Sequence, residues 1–111
     1  MSMLEDITKI DAISIDKETN EVVLNIFDHL DWTDEKKHIQ LLQEKINNYI
    51  KFIQSKEIEQ VCPEAMGKKV KFFIQAKFSP NSAAMKWLAV TTDLLAKSEI
   101  SFDHSYLKKL K

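Results

Sequence analysis

The stretch Val22–Leu42, VVLNIFDHLDWTDEKKHIQLL, decides how this chain folds. Its first half alternates: Val22, Leu24 and Ile26 share one side, and Val23 and Phe27 fall on the other, the two-residue period of a strand. Its second half changes period, with apolar residues recurring at spacings of three and four from Ile39 onward, as on one face of a helix. Between them lies FDHLDW, residues 27–32, where Asp28 and Asp31 flank His29 and Trp32 follows.

Two readings of that junction compete. In the first it is a handover from strand to helix. Asp31 or Thr33 caps the helix by accepting bonds from unpaired backbone N–H groups, and Asp34 and Glu35 complement the positive end of the helix dipole. In the second it is a metal or catalytic cluster. Asp34 and His38, four apart, share one side of a helix, and His29, with Asp28 beside it, approaches from the strand end, so that His29, Asp34 and His38 form a candidate three-ligand site for a divalent ion. The first reading is preferred, because these residue types recur at helix starts for reasons of local hydrogen bonding alone.

Working outward, Ile13 and Ile15 alternate with Ser14 and Asp16, and DKETNE joins them to the stretch above as a hairpin in which Asn20 takes the left-handed conformation. The helix that follows is expected over about 34–55, with Ile39, Leu42, Ile46, Tyr49, Ile50 and Ile53 as its apolar stripe and Leu41 and Phe52 on the flank. EIEQVCPEAMGKK is irregular, punctuated by Pro63 and Gly67, with Ile58, Val61 and Met66 tucked under the domain. KKVKFFIQAKF is a strand with Val70, Phe72, Ile74, Ala76 and Phe78 on one side. A second helix is expected to open at Ser79–Pro80, proline lacking a hydrogen that the first turn leaves unpaired. Its inner side is Ala84, Trp87, Leu88, Thr91, Leu94 and Leu95. ISFDHSY closes the domain as a last strand.

The order is ββαβαβ. Right-handed crossovers of one hand place both helices on one face, giving an α+β fold: a two-layer sandwich with a four-stranded mixed sheet. The chain reads as a single domain over 1–111, with residues 1–8 and the tail 107–111 frayed. The other sheet face is then open, and Val23, Phe27 and Phe73 lie on it as candidate binding residues.

Composition narrows the function. The net charge is −1, yet residues 1–35 hold ten acidic side chains against Lys9 and Lys17, a net −8, and the remainder is +7. Such segregation suits a surface that attracts a basic partner, unless the fold interleaves the halves. All sixteen basic residues are lysine, which argues against sequence-specific DNA reading, since arginine supplies the bidentate fork for guanine and phosphate. Nucleic acid is an unfavoured partner, with loose phosphate contact through the lysines and phenylalanines of 69–78 left open. A single glycine excludes glycine-rich phosphate loops. The hydrolase GxSxG and zinc-protease HExxH motifs are both missing. The lone Cys62 forms no internal disulfide, and no apolar run approaches the roughly 20 residues a membrane span needs. No cofactor and no membrane are expected, and the cytoplasm is the simplest location.

IDAISIDKETNEVVLNIFDHLDW followed by HIQLLQEKINNYIKFIQS resembles a family of small, uncharacterised bacterial proteins, over about residues 7–78. The resemblance implies a bacterial, cytoplasmic, single-domain protein, and it carries over no catalytic residue. The expected function is a non-enzymatic interaction module, self-associating as a homodimer or binding a protein partner, in the manner of an inhibitor or immunity protein. The alternative is a small metal-dependent enzyme or metal sensor built on the 28–38 segment.

Overall fold

A computed structural model describes Leu4 and residues 6–108; expectations for residues 1–3, 5 and 109–111 lie outside the described residues. Strands β1 (Ala12–Asp16) and β2 (Glu21–Asp28) form the hairpin, and helix α1 (Glu35–Gln54) follows. A short helix α2 (Glu57–Val61) and a 3-10 turn (Pro63–Ala65) lead to β3 (Val70–Phe78), helix α3 (Ser82–Ala96) and β4 (Ile100–Lys108). The sheet runs β1-β2-β3-β4 in spatial order. β1 and β2 are antiparallel; β2, β3 and β4 are parallel, because each intervening helix carries the chain back to the same end. This is the expected four-stranded mixed sheet in an α+β fold.

The register fixes the two faces. Ile13 stands opposite Leu24, Leu24 opposite Phe72 and Phe72 opposite Phe102, so these side chains share the helix-covered face. Val22, Leu24, Ile26, Phe72 and Ile74 there pack with Leu42, Ile46 and Tyr49 of α1 and Leu88 and Leu95 of α3 in one core. Full burial of a Leu or Ile side chain contributes about 1.5–3 kcal/mol, and this layer supplies most of the apolar burial. The two helices meet near their N-terminal ends, where Asn81 donates to Glu35 and Trp87 Nε1 donates to Gln43 at 3.1 Å.

At the hairpin, Asp16 Oδ1 accepts the Glu18 N–H at 2.9 Å and the Thr19 N–H at 3.4 Å. Those backbone bonds, Glu18 first, hold the Asp16 carboxyl below its ordinary value. Asn20 has φ 61°, as expected of the turn residue that tolerates it best.

Several expectations need correction. The α1 cap is Asp34, whose side chain accepts from the Lys37 N–H, whereas Asp31 instead accepts from the Thr33 N–H in a tighter preceding turn. The buried row of α1 contains His38, Leu42, Lys45, Ile46, Tyr49 and Phe52; Ile39, Ile50 and Ile53 are only half-buried. The second helix begins after Asn81, which accepts from the Ala84 N–H at 2.9 Å, so Pro80 precedes the cap instead of opening the helix. Leu94 is exposed, and so are Val61 and Met66, since α2 turns only Ile58 inward. Toward the ends of the described residues, Leu4 is fully buried, Asp6 receives a bond from Lys45, and β4 continues to Lys108.

Candidate functional site

Two polar clusters are buried beneath the helices. The first grows out of FDHLDW. Asp28 ends β2 on the helix-covered face, and the turn at 29–34 brings α1 back so that His38, in its first turn, faces Asp28. His38 Nε2 lies 2.5 Å from Asp28 Oδ2, and both side chains are 2% exposed. His38 Nδ1 lies 2.9 Å from the Asp31 carbonyl, which only accepts, so Nδ1 carries a proton. A second proton lies between Nε2 and the carboxylate. The pair is therefore neutral as a unit whichever partner holds that proton. Asp28 Oδ1 also accepts the Leu30 N–H at 3.1 Å. Trp32 closes the cluster, its ring stacked on His38 with centroids 3.7 Å apart and planes 17° from parallel.

This geometry leaves no ring nitrogen of His38 to take a proton from a substrate, which a general base needs. Nor does it gather the candidate metal ligands. Asp34 is engaged at the helix cap and His38 faces Asp28 and Asp31, and among the described residues no group of three His, Cys, Asp or Glu is arranged to hold a metal ion. His29 follows the end of β2, half-buried, and has an interaction of its own. The Thr33 N–H holds the exposed Asp31 carboxyl below its ordinary value. A small cavity of about 20 Å³ lies between Asp28, Trp32, Ile74, Trp87 and His104. Among the described residues, Trp32 Nε1 is the buried side-chain polar atom without a hydrogen-bond partner.

The second cluster escaped the sequence reading. Lys45, in the buried row of α1, is fully buried and places Nζ 2.8 Å from Asp11 Oδ1 and 2.7 Å from the Asp6 carbonyl. Asp11 Oδ2 accepts the Phe27 N–H at 2.9 Å, satisfying a β2 donor just beyond the end of β1. Tyr49 OH accepts from the Asp11 N–H at 2.9 Å and donates to the Asn25 carbonyl at 2.6 Å. Burial pushes the Tyr49 phenol well above its ordinary value of 10.0, and the Asp11 carboxylate adds to the rise against the Asp11 backbone bond. The usable signal was a lysine at i+7 from His38 and i−4 from Tyr49, inside the apolar stripe.

The helices leave the other sheet face uncovered. Asn25 stands between Ala12 and Phe73 across the strands, and Phe27 stands opposite Gln75. Phe73 is thus diagonal to both Val23 and Phe27, so the three candidate binding residues form one zigzag on that face. A ladder of amides runs through them: Gln75 Nε2 donates to Asn25 Oδ1 at 2.9 Å, and Asn25 Nδ2 donates to Ser14 Oγ at 3.4 Å. Lys71 Nζ sits 5.7 Å from the Phe73 ring centroid and 3.9 Å from Asp103. Phe27 and Phe73 are half-buried, Val23 and Asn25 more deeply covered by their neighbours.

A family model described as a family of unknown function, DUF6572, matches residues 1–108. No curated protein and no solved structure matches the chain. No helix among the described residues is long and apolar enough to cross a membrane.

Proposed function

The chain belongs to the DUF6572 family, whose function is unknown, and from that premise we propose that it is a non-catalytic protein-interaction module of the bacterial cytoplasm. Its contact surface is the sheet face opposite the helices. The observation that carries the reading is the division of labour between the two faces. Each buried polar cluster is closed on itself and joins α1 to β2 or to the segment before β1. The face opposite the helices instead carries the half-buried Phe27 and Phe73 around the more deeply covered Val23, among hydrogen-bonded amides. A rigid apolar patch rimmed by polar groups is the kind of surface that binds another protein. The acidic balance of residues 1–35 favours a basic partner, and inhibitor or immunity proteins are the functional analogy.

Photo-crosslinking tests this in cells of the source organism, with benzoyl-phenylalanine replacing Phe73 and, as a control, the exposed Lys51 on α1. Discrete protein adducts from position 73 and none from position 51 are expected, and the adduct mass distinguishes a second copy from another protein. No adduct at 73, or the same adducts from both positions, contradicts the reading.

A further inference from the structure

The two ends of the sheet are unequal. β1 spans five residues, Ala12–Asp16, with Asp11 just before it and Asp16 at its end. β4 spans nine, Ile100–Lys108, and its Asp, Glu and Lys residues are Asp103 and the terminal Lys108 alone. It contains no proline, glycine or bulge of the kind that blunts an edge. Tyr106 and Leu107 are exposed on it, Leu107 at 86%.

Backbone parity shows which groups the edge offers. Val22 N–H donates to the Lys69 carbonyl at 2.8 Å, so odd-numbered residues of β3 face β2 and even-numbered ones face β4. Across the parallel register the odd residues of β4 then face β3, and Ile100, Phe102, His104 and Tyr106 turn their N–H and C=O groups outward. The His104 N–H agrees: it donates to the Asp103 side chain at 2.8 Å and not to β3.

We propose that this outer edge of β4 pairs antiparallel with the same edge of a second copy about a two-fold axis at His104, doubling the sheet. A two-fold register must set outward residue against outward residue. Centring it on Asp103 would oppose two carboxylates, a destabilising pair. Centring it on Phe102 or Ser105 shortens the overlap. Centring it on His104 uses the whole strand, sets Asp103 opposite Ser105 of the second copy and pairs Phe102 with Tyr106 of the second copy.

The layer above fits the same axis. α3 packs on β4, and Trp87 reaches α1 from one flank. The opposite flank, turned toward the sheet edge, carries Met85, Ala89, Thr92 and Ala96, all exposed and none charged. Lys86, Asp93 and Lys97 point between these and solvent by helical spacing. Two α3 helices can therefore lie side by side over the joined strands without burying a charge. The Asp103 carboxylate, bonded to the central outward amide, acts as a gate that pairing must displace.

This deepens the interaction reading but uses a surface distinct from the Val23–Phe27–Phe73 face, so either can fail alone. Sedimentation equilibrium of the full chain is expected to show a monomer–dimer equilibrium. It should tighten several-fold in Asp103→Ser and weaken at least tenfold in both Ala89→Lys and His104→Pro. Hydrogen exchange provides the positional readout: protection of the Phe102 and Tyr106 amides should rise with protein concentration. A wild type that stays monomeric at millimolar concentration overturns the proposal. So does a dimer that is indifferent to Ala89→Lys, or one that leaves those two amides unprotected; adducts from position 73 would then still support the open-face reading.

Discussion

The two buried polar clusters do the same job by different means. At the start of α1, Asp28 and His38 share a proton and cover it with the Trp32 ring. Two turns further along, Lys45 and Asp11 hold full opposite charges out of water, with Tyr49 bracing the carboxylate's own backbone. The histidine pair can shed its charge by moving one proton. The lysine pair is held instead by the Asp6 carbonyl on the ammonium and the Phe27 N–H on the carboxylate. A buried ion pair contributes little net stability when intact and costs much when halved.

That contrast orders the expected losses. Lys45→Ala leaves the Asp11 carboxylate buried without a counter-charge and should cost about 3–5 kcal/mol in equilibrium denaturation. The double change Lys45→Met with Asp11→Leu should recover most of that loss, because two apolar groups need no partner. A single variant that loses less than about 1 kcal/mol would mean that water reaches the pair. His38→Ala should cost less, about 2–3 kcal/mol, since Asp28 keeps its bond from the Leu30 N–H while the Asp31 carbonyl and the Trp32 ring lose their contact.

The third effect lies in alkali and builds with pH. Tyr49 keeps its proton in the folded chain above the ordinary value of 10.0, while the unfolded chain releases it there. The folded state then binds more protons, so this contribution is intact below pH 10 and is lost as pH rises beyond it. The slope should be about 1.4 kcal/mol per pH unit, and Tyr49→Phe should remove it from the measured pH dependence of unfolding.

The same contrast explains what was legible beforehand. Alternation and three-four spacing placed every strand and both long helices, because apolar periodicity follows directly from which face each element buries. Asp28, Asp31, Asp34 and His38 attracted notice because polar residues cluster at a helix start, yet which carboxylate capped and which paired depended on the path of the turn. Lys45 was hidden, since lysine is almost never fully buried and its partner Asp11 lies 34 positions away. Leu94 erred the other way: its spacing suited the inner face, but α3 meets α1 only near one end and leaves that flank in solvent. Local chemistry is readable; long-range pairing is not.

The account rests on the polar clusters acting as joints, which makes the His38 ring its most exposed point. A long-range proton–nitrogen spectrum of the imidazoles, recorded before and after adding zinc, examines that ring directly. The expected result is a slowly exchanging Nδ1 proton on His38 whose ring signals do not move with zinc. Loss of that proton, with the His29 and His38 ring signals shifting together at stoichiometric metal, would show that the junction is a metal centre and not a joint.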